Sequence, residues 1–170
     1  MQDDGKLLFW QFINLFVPSE TKKIQREAPP VDAGTENFSL ALFREEFILF
    51  SGGADANDIR QSGKAILYST KESKWMVDIL LGELNEPRNA HSSLCIGSTC
   101  FVFGGYDGSK YLDSLESLSI DLAEEGLQNW TISMFYNISP RASPLMAQQD
   151  ECNFVIYGGY DNNGKLDNGI

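Results

Sequence analysis

One feature narrows the folds open to this chain more than any other: a short apolar run closed by two glycines, which occurs three times. Residues 47–53 read F-I-L-F-S-G-G, residues 101–105 read F-V-F-G-G, and residues 154–159 read F-V-I-Y-G-G. The copies recur at intervals of roughly 50 residues, a period that belongs to arrays of small repeated sheets. Each run is too short for a helical pattern and is rich in Phe, Ile, Val and Tyr, which predicts a strand buried on both faces. A glycine pair tolerates positive φ and lets another backbone come close, so it suits a sharp strand exit at a crowded place.

The residues around each run predict further strands. The fullest copy begins at residue 87 with P-R-N-A-H and continues as a strand over 91–96. Gly97-Ser98 then reads as a two-residue type II′ turn, followed by a strand over 99–103. Its third and fourth strands are expected over 114–121 and 129–136, with a turn over 122–128. The preceding unit is expected to place strands over 37–42, 47–50, 64–69 and 74–80. A third unit starts with strands over 143–147 and 152–157, and the sequence stops at Ile170 before two more strands can form. Upstream, residues 7–16 (L-L-F-W-Q-F-I-N-L-F) predict a strand carrying Trp10, with a short helix as the alternative, and residues 17–35 a polar loop.

Composition excludes several partner classes. Lys and Arg number 13 against 24 Asp and Glu, a formal net charge of −11. Nucleic acid and anionic membrane both call for basic patches, so neither is expected as a partner. No apolar run reaches the ~20 residues of a membrane-spanning helix. The N-terminus, M-Q-D-D-G, is acidic where a signal peptide is basic, and a cytoplasmic location is expected. Cys95, Cys100 and Cys152 form an odd set, which predicts reduced core thiols. Cys95 and Cys100 should face each other across the Gly97-Ser98 hairpin, but their spacing matches no common zinc pattern. His91 is the sole histidine and is expected to be structural. No phosphate-cradling glycine loop and no G-x-S-x-G is present, so no catalytic residue, cofactor or metal is expected.

Taken together, these motifs resemble the kelch repeat family of β-propellers, over nearly all of the chain. That pattern joins an apolar strand ending in Gly-Gly to a spaced Tyr and Trp, then to a Pro-Arg turn before the next blade. The first copy carries Gly52, Gly53, Tyr68 and Trp75, followed by Pro87 and Arg88. The second carries Gly104, Gly105 and Trp130, followed by Pro140 and Arg141, with Leu118 or Ile120 where the Tyr belongs. The third carries Gly158 and Gly159. Residues 106–113 (Y-D-G-S-K-Y-L-D) and 160–167 (Y-D-N-N-G-K-L-D) repeat each other, which strengthens the match.

The resemblance implies an all-β fold of four-stranded antiparallel blades in an incomplete, open propeller. It divides the chain into an N-terminal strand and loop (1–36), blades at 37–86 and 87–139, and a truncated blade at 140–170. Trp75, Trp130 and Tyr68 are then expected to weld blade to blade, and Arg88 and Arg141 to anchor the turns. About three blades fall short of the 4–8 of a closed ring. The chain is therefore expected to be a piece of a longer protein, to complete a ring with a second copy, or to be an unstable partial product.

The function implied is a protein-interaction scaffold that binds a protein partner through loops on one propeller face. Asp55, Asp58, Arg60, Arg88, Tyr106, Asp107, Lys110, Tyr111, Tyr160 and Asp161 are the expected partner-facing residues. The alternative is part of a propeller enzyme of the oxidase or sugar epimerase type. Such enzymes use clustered His or Tyr ligands or acid–His metal motifs, which one histidine cannot supply.

Overall fold

Twelve short strands, paired throughout as antiparallel ladders, form the described structure, and no helix occurs among the described residues. The computed structural model of the chain describes residues 36–55, 61–134 and 138–165. The expected strand over 7–16 with Trp10 lies outside them.

The first sheet is ordered β1-β2-β3-β4, from β1 (Ser39–Phe43), β2 (Phe47–Ser51), β3 (Ala65–Ser69) and β4 (Lys74–Trp75). The second repeats that order with β5 (Ser92–Ile96), β6 (Thr99–Phe103), β7 (Ser114–Ser119) and β8 (Thr131–Met134). A third begins with β9 (Leu145–Gln148) paired to β10 (Phe154–Tyr157). A small ribbon of β11 (Tyr160–Asp161) and β12 (Gly164–Lys165) follows the third glycine pair. The described residues are thus all-β, with two complete four-stranded blades and the inner pair of another.

Burial on both faces of the central strands explains why they read as continuous apolar runs. One face of the first sheet (Phe47, Leu49, Leu67) meets one face of the second (Cys100, Val102, Leu118), with Leu81, Leu84 and Trp130 closing the same cluster. The opposite face of the second sheet (Phe103, Leu115) meets Ile156 of the third. Each such side chain contributes roughly 1.5–3 kcal/mol when removed from water. Neither sheet can collect that alone, so stacking is the folding event.

The backbone itself also joins the blades. Asn37, Ala90 and Ser143 occupy the same place at the entry of successive innermost strands, and each has a left-handed φ of 54°, 48° and 50°. The Ser143 N–H donates to the Ala90 carbonyl at 2.6 Å, and the Ala90 N–H to the Asn37 carbonyl at 2.9 Å. This relay runs along the inner ends of the blades. Conformations of this kind cost ~1–3 kcal/mol for a residue with a side chain and persist only where surrounding contacts hold them.

Several expectations need correction. The fourth strand of the first sheet covers only Lys74–Trp75, not 74–80, because after Met76 the chain turns, with the Ile79 N–H donating to the Met76 carbonyl at 3.2 Å, and Leu81 and Leu84 are delivered to the core. Trp75 is buried as expected, but not between the first sheet and the second. It lies on the face turned away from that sheet, against Phe50 and Tyr68 at ring distances of 4.9 and 5.1 Å. Trp130 does join the first two sheets. Leu118, paired with Cys100, takes the register place that Tyr68, paired with Ile48, has in the first sheet, which settles the choice between Leu118 and Ile120.

The cysteines also differ from expectation. Cys95 and Cys100 form a disulfide, and Cys152 is free and exposed rather than a core thiol. The register explains the bond: the two residues are direct cross-strand partners with Cα atoms 4.0 Å apart. Disulfides belong mainly to oxidising compartments, so the pairing removes the support that reduced thiols lent to a cytoplasmic location. No helix among the described residues is long and apolar enough to cross a membrane.

Candidate functional site: the loop face at the glycine pairs

Two arginines set the geometry of this face. Arg88 and Arg141 are fully buried. The Arg88 carbonyl accepts the Gly53 N–H at 2.9 Å, while its Nη1 donates to the Gly104 carbonyl at 2.9 Å. Arg141 repeats this one blade later, accepting from Gly105 N–H at 2.8 Å and donating to Gly158 at 3.0 Å. Each arginine therefore staples the glycine exit of one blade to that of the next. The planar guanidinium, with its fixed fork of donors, is suited to this work.

Arg88 has further partners. Its Nη2 pairs with Glu116 at 2.6 Å, and both side chains are fully buried. Glu116 also accepts the backbone N–H groups of Asn85 and Glu86, at 2.7 and 3.0 Å, and the Asn85 amide at 2.9 Å. Glu86 meets Arg88 at 3.3 Å and takes a hydrogen bond from the Ser114 hydroxyl. Burial is the main influence on the Arg88 guanidinium and pulls its pKa below the usual value, opposed by these two carboxylates. Glu116 was not singled out from the sequence. The available signal was a lone acid in the middle of a strand, S-L-E-S-L-S.

His91 sits between the glycine pairs. Its Nε2 and the Ser51 hydroxyl are 3.1 Å apart; the ring lies against Gly52, and the His91 Cβ and backbone N against Gly105. Burial first, and the Arg88 charge second, push its pKa down to about 3. The native state therefore needs neutral His91. Since its folded pKa lies below its unfolded value, this residue's contribution is intact above about pH 6.5 and is lost as pH falls toward 3, at about 1.4 kcal/mol per unit. With a single histidine in the chain, its ring C2 proton reports this directly. The proton resonance is expected to stay flat from about pH 8 to about pH 4.5, while urea midpoints fall below about pH 6.5. A titration midpoint near 6.5 in the folded protein would contradict this.

Short bridges tie the described parts of the loops that leave the glycine pairs. In the second blade Tyr106 and Tyr111 bridge each other, and Tyr106 also bridges Asn89. In the third, Tyr160 bridges Ala142 and pairs with Lys165. In the first, Ala54 bridges Gln61. Tyr106 and Tyr111 have ring centroids 5.4 Å apart, and Tyr111 and Tyr160 5.8 Å, so a continuous run of three rings crosses from the second blade to the third.

The expected partner-facing residues divide on this geometry. Tyr106, Tyr111 and Tyr160 come together, with Tyr160 43% exposed. Asp55 and Lys110 are exposed. Asp107 Oδ1 accepts from Ser109 N–H, the Ser109 hydroxyl and Lys110 N–H, at 2.7–2.8 Å. Burial acts to raise the Asp107 pKa, but those bonds outweigh it and hold the carboxyl below its usual range. Asp161 likewise caps its own turn, accepting from Asn163 N–H at 2.7 Å. Arg88 is a correction: fully buried and engaged between blades, its side chain is not offered to a partner. Asp58 and Arg60 lie outside the described residues. Among the described residues no group of three or more His, Cys, Asp or Glu gathers as a metal site.

Repeated four-stranded antiparallel sheets, exiting through glycine pairs and stapled by buried arginines, are consistent with kelch-type blades of an incomplete propeller. Residues 87–122 match the family model described as the Kelch motif. It is similar to the "Leucine-zipper-like transcriptional regulator 1 homolog" of Drosophila melanogaster, 28% identical over 141 residues, covering 80% of this chain and 14% of that protein. It is also similar to the human "Rab9 effector protein with kelch motifs", 26% identical over 88 residues, covering 52% of this chain and 24% of that protein. The chain thus spans a minor part of the length of both curated relatives.

Proposed function

We propose that this chain is a protein-interaction module, with blades at 37–86 and 87–139 and a partial blade at 140–170, that binds a protein partner through the loops at its glycine exits. The observation that carries this is the run of Tyr106, Tyr111 and Tyr160 on loops fixed by bridges to rigid sheets. Aromatic side chains on well-held loops lose little entropy on binding and are typical interface anchors. The name of the human relative, an effector with kelch motifs, is in keeping with such a role.

The test compares partners captured by cross-linking to the native chain with those captured by a Tyr111→Ala/Tyr160→Ala variant. A third sample carries Ser98→Arg, on the hairpin turn at the far end of the second sheet. The double variant is expected to fold normally and to weaken partner binding about 30-fold or more, as loss of an interface anchor does. Binding that survives the double variant but is lost with Ser98→Arg would contradict the proposal.

A further inference from the structure

The three loops share more than a position. The second residue after each glycine pair is an aspartate: Asp55, Asp107 and Asp161. The array thus presents one carboxylate per blade at the same step, and in the second and third blades a tyrosine stands directly before it. Asp107 uses Oδ1 for its turn, and no hydrogen bond to Oδ2 occurs among the described residues. Arg88 attracts Asp107 and Arg141 attracts Asp161, but both guanidinium groups are fully buried and donate to blade carbonyls, and Arg88 is also paired with Glu116, so neither is offered at the surface. Lys110 leans toward Glu86, 3.8 Å away. Lys165, across the ribbon from Tyr160, is the other cation of these loops among the described residues. The whole chain adds a field of net charge −11.

Resting on the interaction reading above, we propose that the partner's contacting segment is an extended stretch bearing arginine or lysine, its cations seated on the Tyr106–Tyr111–Tyr160 run and paired with the aspartate row. Two features favour this chemistry. Tyrosine faces attract a cation through the ring quadrupole, and a guanidinium stacks on them while its fork reaches a carboxylate. A negative surface also speeds encounter with a positive segment. A periodic row, one acid per blade, suits an extended segment rather than a single inserted side chain.

The experiment uses the full chain and three fluorescein-labelled, capped octapeptides: alternating Gly-Arg, Gly-Gln and Gly-Glu. Fluorescence anisotropy is read at low and at physiological salt. The Gly-Arg peptide is expected to bind, and the other two not. Its affinity is expected to fall at higher salt, and to fall roughly 3–10-fold with Tyr160→Ala and again with Asp107→Asn, which keeps the Oδ1 acceptor of the turn. Tyrosine-dependent binding of the Gly-Gln or Gly-Glu peptide would overturn the cationic chemistry and leave the loop-face reading standing. Equal binding of Gly-Arg to native and variant proteins would mean diffuse charge attraction and overturn the proposal. Absence of binding by all three would overturn it too, while the capture experiment judges the loop face separately.

Discussion

Glu116→Ala is expected to destabilise the chain by about 3–5 kcal/mol, the range for breaking one side of a buried ion pair. The mutation leaves the fully buried Arg88 with Glu86, a partly exposed carboxylate 3.3 Å away, as its remaining ion-pair partner. It also leaves the Asn85 and Glu86 N–H groups without the acceptor they share. Glu116→Gln retains acceptor oxygens and loses the charge, so a smaller cost, about 1–3 kcal/mol, is expected. Replacing both partners, as Arg88→Met with Glu116→Leu, should cost less than the two single changes together, because no lone buried charge remains. Urea unfolding midpoints check all three. A loss below about 1 kcal/mol for Glu116→Ala would mean that Arg88 reaches water in solution.

Gly52→Ala and Gly105→Ala are the second large pair. At Gly52, with φ +60°, an added Cβ would stand 2.5 Å from the Arg88 carbonyl oxygen and 2.5 Å from His91 Cε1. At Gly105, with φ +99°, it would stand 2.5 Å from the Asn89 carbonyl oxygen. Backbone oxygens of a stapled turn cannot swing aside as a side chain can, so steric and conformational costs combine to about 3 kcal/mol or more at each site. Gly97 provides the control. It also has a positive φ, +57°, but an added Cβ meets nothing within 4 Å. Gly97→Ala should therefore cost only about 1 kcal/mol. Equal losses at Gly52 and Gly97 would show that the glycine pairs serve conformation alone and not the close approach of neighbouring blades.

Much of the fold was legible because the strands carry their own signal. Residues 99–103 are apolar on both sides, bounded by a Gly-Ser turn and a Gly-Gly exit, and β6 occupies that span. Gly97 has the positive φ that a type II′ turn requires of its first central residue. The last strand of the first blade was not legible past Trp75. The apolar residues at 76–81 suit a strand as well as they suit a turn that drops Leu81 into the core, and only tertiary packing decides between them. The relay through Asn37, Ala90 and Ser143 left no trace in residue type, since an Asn, an Ala and a Ser share no chemistry that announces a left-handed backbone.

The site was legible in part for similar reasons. Tyrosines and aspartates after a glycine exit fall on loops, and the repeat puts those loops at one end of the stack. What side chains do there depends on neighbours distant in sequence. Arg88 was expected both to anchor its turn and to face a partner, and only the fold supplies Glu116, 28 residues away, at 2.6 Å. The cysteine pair shows the same limit: the hairpin register places Cys95 opposite Cys100, while the odd number of cysteines pointed to reduced thiols rather than to the bond.

Consecutive blades are locked backbone to backbone at the glycine exits and inner strand ends, and this lock is what holds the loop face in place. Amide hydrogen exchange tests it at four positions: Gly53 and Gly105, bonded to the Arg88 and Arg141 carbonyls, and Ala90 and Ser143, bonded to Asn37 and Ala90. These amides are predicted to be protected as strongly as those of β2 and β6, opening only when the stack unfolds. Exchange at the rates of free loops, with β2 and β6 still protected, would contradict the claim, since the blades would then be held by apolar packing alone.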